Sequence, residues 1–226
     1  MRDELAGVRG AGSVRRVSAL DIDTPRGPAR AHLHLPAGVA PGGRARVPGA
    51  LVLGHGAGGG VDAPDLRAVT ASALGLGLAV ALVEQPYRVA GKRVGPRGPA
   101  LDEAWTAVVA HLRAHALDAP LVTGGRSAGA RTACRTAGAT GAVGVLCLAF
   151  PTQPPGRPDA PSRLPELDAA GVPVLVVQGA TDPYGAPPAG PRRTVVRVRG
   201  DHALKQDTAA VAAAVADWLP AVVPLP

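Results

Sequence analysis

The chain has 226 residues, a formal charge of +7 and only 2% aromatic residues. That length supports one substantial core, so a single domain over residues 1–226, with its core at about 14–219, is the expectation. No apolar run is long and clean enough to span a bilayer, and the arginines are scattered with few rings for base stacking, so neither a membrane nor a nucleic acid is an expected partner.

The N-terminal stretch "MRDELAGVRGAGSVRRV" lacks the continuous apolar segment of a secretory signal. "SVRRVSALDID" and "ARAHLHLP" alternate in polarity around the turn signal "TPRGP" and read as an antiparallel edge pair. From residue 50 the pattern changes. "ALVLGHG", "LAVALVEQ", "APLVTGG", "VGVLCLAF" and "VPVLVVQG" are short, continuous runs rich in Val and Leu, as strands covered on both faces are. Helical spacing lies between them. In 101–116, Leu101, Trp105, Val108 and Leu112 form one stripe, with Asp102, Glu103 and Arg113 off it. The alternation predicts an α/β fold with a mostly parallel sheet and right-handed crossovers.

"RTVVRVRG" alternates like an outer strand, and "KQDTAAVAAAVADWL" is a final helix that buries Val211, Val215 and Trp218. The Pro- and Gly-rich pieces 36–49, 91–100 and 151–165 read as loops. Cys134 and Cys147 fall in a helix-like and a strand-like segment, as reduced core thiols of a cytoplasmic protein would.

One segment carries a chemical signature. In "LVTGGRSAGAR", Gly125-Arg126-Ser127-Ala128-Gly129 fits G-x-S-x-G between a strand and a helix. A sharp strand-to-helix turn lifts a serine oxygen above the sheet edge, and small residues two before and two after let the backbone pass. Ser127 could instead simply cap the helix. As a nucleophile it needs a base, and the base needs a group to orient it.

Among six histidines, His32 and His34 share a face of the early strand pair with nothing acidic nearby. His111 and His115 are four apart on a helix without other ligands in register, so no metal site is expected. His55 belongs to the glycine loop. His202, between the last strand and the last helix, is the preferred base. Asp182, just beyond the next-to-last strand in "VVQGATDPYG", is the preferred acid. Asp201 competes, but it would have to bend back to meet its neighbour's imidazole. "LGHGAGGG" after the first core strand offers backbone N–H groups to an oxyanion, from Ala57 or Gly58, with Ala128 as the second donor.

With these motifs in place, the sequence resembles the α/β-hydrolase superfamily over about residues 14–219. "GHGAGG", "GGRSAGAR", "VQGATDP" and "GDHALK" resemble more narrowly a small dienelactone-hydrolase-related group that includes testis-expressed and non-specific lethal complex relatives. The resemblance implies an α/β-hydrolase fold with an eight-stranded, mostly parallel sheet, helices on both faces, no cofactor, and the order Ser127, Asp182, His202. Two departures stand out. Dienelactone hydrolases carry a cysteine where this chain has Ser127, and the segment from Phe150 to Val174 is too short for a large lid.

The expected activity is a serine hydrolase acting on a small ester or thioester. Arg126, Tyr87 and Arg88 are candidates for holding a carboxylate or phosphate on that small-molecule substrate. Two rivals remain. A non-catalytic interaction module would have the same fold. A dinucleotide binder would use Gly54-x-Gly56-x-x-Gly59 with Glu84 as its ribose-binding acid, leaving Ser127, Asp182 and His202 unexplained.

Overall fold

A computed structural model describes residues 16–40, 43–96, 98–157 and 159–225. Residues 13–15 of the expected first strand, residues 14–15 of the expected core and residues 1–15 of the N-terminal stretch discussed above lie outside the described residues.

Eight strands form one sheet: β1 (Arg16–Ile22), β2 (Ala29–His34), β3 (Ala50–Gly54), β4 (Ala79–Glu84), β5 (Leu121–Arg126), β6 (Gly144–Leu148), β7 (Val174–Gly179) and β8 (Arg193–Val198). Their spatial order is β1-β2-β4-β3-β5-β6-β7-β8. β2 runs antiparallel to both β1 and β4, and every other pair is parallel. The polarity patterns foretold this division. The alternating pieces lie at the two ends of the sheet, and the inner strands β3, β6 and β7 are buried at all their positions.

Among the described residues, six α-helices accompany the sheet: α1 (Pro64–Gly75), α2 (Pro86–Val89), α3 (Gly98–His115), α4 (Ala128–Thr140), α5 (Leu164–Asp168) and α6 (Thr208–Trp218). A strand sends successive side chains to opposite faces. Leu51 and Leu53 therefore pack with Leu66 and Val69 of α1 and Val211 and Val215 of α6, while Ala50 and Val52 pack with Trp105, Val108 and Leu112 of α3. α4 joins the α3 side through Ala130, Ala133 and Cys134 against Val145 and Cys147. The two thiols are free and buried, with sulfurs 3.5 Å apart.

Three loop assignments change in detail. Residues 36–49 hold a short parallel pairing of Ala45–Arg46 with Leu117–Asp118, α3 begins at Gly98, and 151–165 runs into α5. Among the described residues, the segment between β6 and β7 carries only this five-residue helix, too little for a large lid. Among the described residues, no helix is long and apolar enough to cross a membrane.

The surroundings of His32 also differ from expectation. Its Nε2 lies 2.9 Å from Glu84 Oε2, because β2 pairs with β4 and sets Arg30 opposite Glu84. A cross-strand register of this kind cannot be read along one strand.

Candidate active site

The core strands run parallel, so the loops after β3, β5 and β7 open on one edge of the sheet, where open α/β sheets carry their sites. Ser127 stands between β5 and α4 with φ 51° and ψ −103°, a conformation that a residue with a Cβ rarely adopts. Its N–H still bonds to the Leu148 carbonyl (2.9 Å), so the turn is tied to the sheet. The flanking glycines are steric requirements. At Gly125 (φ 147°) a Cβ would collide with the Gly54 carbonyl, and at Gly129 it would fall 2.6 Å from the same oxygen. The cap alternative for Ser127 finds no support in the geometry: its side chain makes no cap hydrogen bond to α4.

The hydroxyl is engaged elsewhere. His202 Nε2 lies 3.0 Å from Ser127 Oγ, and His202 Nδ1 lies 2.8 Å from Asp182 Oδ2. A carboxylate at Nδ1 holds the proton there, which leaves Nε2 as the acceptor facing the serine. The Asp182 side chain is fully buried, and it accepts from Gln178 Nε2 at Oδ2 (2.7 Å) and from the Tyr184 N–H at Oδ1 (2.8 Å). Tyr184 also lays its ring against the His202 imidazole, with centroids 4.2 Å apart. Asp201 turns away; its Oδ1 accepts from the Ala203 N–H at 2.9 Å.

The glycine loop passes beside the serine, so a Cβ on Gly56 would fall 3.7 Å from Ser127 Cβ. Ala57 and Gly58 follow, both exposed. The loop is held from below. His55 donates from Nδ1 to the Gly56 carbonyl (2.8 Å) and accepts the Gln85 N–H at Nε2 (3.2 Å). Burial pushes the His55 pKa down, in keeping with this neutral form. The Tyr87 hydroxyl donates to the Ala57 carbonyl (2.8 Å). Ala128 opens α4, where the first N–H groups have no acceptor within the helix.

The three expected substrate-binding residues are occupied with the protein itself. Arg126 turns inward: its Nε lies 3.2 Å from Asp65 Oδ2, and its NH2 donates to the His202 carbonyl (2.8 Å). Asp65, on the first turn of α1, is completely buried, and burial raises its pKa even though the Arg126 charge opposes this. Arg88 donates to the Lys92 carbonyl (3.2 Å). Tyr87 is nearly buried, spends its hydroxyl on the glycine loop, and lines a cleft of about 450 Å³ with Pro86, Val94, Pro96 and Leu101. The physical reason is common to all three. Groups so close to a packed turn are used to fix it.

Asp65, Gln178 and Tyr184 escaped the sequence reading. Gln178 did leave a signal, as a polar residue in the otherwise apolar run "VPVLVVQG", since a polar group buried there needs a partner. Glu84, the ribose acid of the dinucleotide alternative, is taken up by His32. Among the described residues, no cluster of three or more His, Cys, Asp or Glu could hold a metal ion.

Residues 48–210 match the family described as alpha/beta hydrolase domain. No curated protein matches the chain. Among solved structures, it is similar to an α/β serine hydrolase without a lid from Xanthomonas campestris, with 22% identity, 95% of this chain and 100% of that one covered, and a TM-score of 0.73. Est1E from Butyrivibrio proteoclasticus is 15% identical, with 90% and 98% covered and a TM-score of 0.67. A dienelactone hydrolase from Anabaena variabilis is 17% identical, with 91% and 97% covered and a TM-score of 0.64.

Proposed function

Because the chain belongs to the alpha/beta hydrolase domain family, we propose that it is a serine hydrolase cleaving small esters or thioesters through an acyl-enzyme, with residues 1–226 acting as one domain. More narrowly, its motif wording suggests the dienelactone-hydrolase-related group that includes the testis-expressed and non-specific lethal complex proteins. The observation that carries the reading is the hydrogen-bonded line from Ser127 Oγ through His202 to Asp182, hung on a serine with φ 51°.

In this mechanism Ser127 Oγ attacks the acyl carbon while its proton passes to His202 Nε2. Asp182 orients the ring and stabilises the imidazolium that forms. The N–H groups of Ala128 and of Ala57 or Gly58 receive the oxyanion. The Tyr87 hydroxyl, by holding the Ala57 carbonyl, fixes the Ala57–Gly58 peptide and steadies the loop that carries both candidate donors. Collapse breaks the bond to the alcohol or thiol, which leaves with the proton from His202. Water then adds to the acyl carbon as His202 takes its proton, and the acid departs as Ser127 regains its own.

A fluorophosphonate probe should label Ser127, and p-nitrophenyl acetate should turn over. Ser127→Ala should abolish both without lowering Tm. Turnover within a few-fold of the parent would overturn the mechanism. Absence of labelling in the folded parent would instead favour a non-catalytic interaction module.

A further inference from the structure

On the side of the serine away from Tyr87 lies a second cleft, of about 710 Å³, lined by Arg131, Pro154, Ala160, Ser162, Arg163 and Glu166. Its position follows from the chain. Arg131 is one turn along α4 from the nucleophile, and its N–H bonds to the Ser127 carbonyl (3.2 Å). The facing wall is organised by Thr152, whose hydroxyl donates to the Tyr184 carbonyl (2.7 Å) and whose own carbonyl accepts the Arg163 N–H (2.9 Å). Tyr184 in turn lies against His202. Arg163 is thus built into the wall that backs the base.

The charges of this cleft are unequally spent. Glu166 accepts from Arg131 Nε (2.7 Å) and from Arg135 NH1 (2.9 Å), and Arg135 is also held by Asp102 (2.8 Å). Those four side chains neutralise one another. Arg163 is only partly exposed, and among the described residues its guanidinium has no hydrogen bond or ion pair. Burial, and then the nearby Arg131 charge, push its pKa below the usual arginine range. A half-buried, uncompensated guanidinium forgoes hydration and gains most from an anion delivered to it.

We infer that this cleft is an acyl subsite and that Arg163 binds a carboxylate at the far end of the acyl chain. The preferred substrates would then be half-esters or half-thioesters of short dicarboxylic acids. This rests on the hydrolase reading above. The exposed Arg157 and Asp159, which also line the cleft, offset one another in charge, so the partly buried Arg163 leaves a single net positive charge, which favours a carboxylate over a phosphate dianion. The forked N–H groups also suit a carboxylate's two oxygens.

The test compares the p-nitrophenyl half-ester of glutarate with neutral p-nitrophenyl butyrate. The parent should favour the charged ester in kcat/KM, and Arg163→Gln should lower that ratio roughly tenfold or more, the factor expected on losing a charge-assisted hydrogen bond. Arg67→Gln removes an exposed arginine from α1 and should leave the ratio unchanged, which separates local binding from overall charge. A ratio indifferent to Arg163→Gln, or a parent preference for butyrate, overturns the assignment.

If no ester is cleaved and Ser127 is not labelled, the hydrolase reading fails separately. Calorimetry of glutarate with the Ser127→Ala protein still reads the cleft. Heat that disappears on adding Arg163→Gln supports the subsite, whereas no heat, equal heat in both proteins, or binding of inorganic phosphate in place of glutarate overturns it.

Discussion

The two flanks of Ser127 are built on opposite plans. On the β3–β4 side, His55, Tyr87, Arg126 and Asp65 all spend their polar atoms inside the protein, and the adjoining cleft is walled by Pro86, Val94, Pro96 and Leu101. On the β6–β7 side, the cleft is polar and keeps a partly buried, uncommitted cation, Arg163. The difference separates two tasks. Stabilising a transition state requires dipoles fixed in advance, so that none reorganises during reaction. Recognising a substrate requires groups whose partners are still missing. On this division, substitutions on the first flank should change kcat, and substitutions on the second should change which substrate is chosen.

The largest effect should come from the group that belongs to both plans. Asp182 is fixed by Gln178 and the Tyr184 N–H, and it fixes His202. Asp182→Asn should lower kcat by about 10³–10⁴, because an amide in that position favours the wrong histidine tautomer. Asp201→Asn should cost only a few-fold, since Asp201 serves a local turn. The reverse ranking in steady-state kinetics would mean that the acid had been misassigned.

Next comes the buried clamp. Arg126→Met strands the Asp65 carboxylate without its counter-charge, a loss of about 3–5 kcal/mol in comparable buried pairs. The double change Asp65→Leu with Arg126→Met removes both charges and should recover most of that stability in thermal melts. It should not recover kcat, because the His202 carbonyl still lacks its donor. Full recovery of both would reduce Arg126 to a packing role and erase the proposed contrast between the flanks.

Much of this could be read from the chain, for a local reason. Ser127, Asp182 and His202 each follow a strand within a few residues, and each stands in a Gly- or Pro-marked turn, so sequence neighbourhood and spatial role coincide. The sheet was legible for the same reason, since runs such as "ALVLG" and "VLVVQG" carry their double burial in their own composition. What the sequence hid was pairing at a distance. Asp65 reads as an ordinary acidic residue in the first turn of a helix, which the helix dipole favours anyway. Only the fold, which brings the first turn of α1 within reach of the Arg126 side chain, makes it the partner of Arg126. Likewise, Arg126 and Arg163 are equivalent letters until one is seen to be bound and the other free.

A smaller effect should follow from loosening the glycine loop. Tyr87→Phe removes the hydroxyl that holds the Ala57 carbonyl, a net change of about 1 kcal/mol for a typical hydrogen bond. The expected result is a five- to tenfold fall in kcat with KM little altered. A change confined to KM would place Tyr87 among the recognition groups after all.

The subtlest test uses one carboxylate from each flank, because their titrations carry opposite signs. Burial raises the Asp65 pKa above 3.8, so between 3.8 and that raised value the folded chain binds more protons than the unfolded one. Stability from this site therefore falls as pH rises through the window. Glu166 is the reverse: burial opposes its charge, but Arg131 and Arg135 outweigh it and hold the carboxyl below 4.5. Its contribution is complete above 4.5 and is lost as pH falls through the folded value. Melting curves recorded across the acid range should show it. The Tm of Asp65→Asn minus that of the parent should rise with increasing pH above 3.8, while the same difference for Glu166→Gln should fall with increasing pH below 4.5. Parallel slopes would mean that the carboxylates are solvated alike and that the two flanks do not differ in how they hold charge. Opposite slopes would show one flank burying its charge at a cost and the other gaining stability from an ion-pair network at the cleft wall.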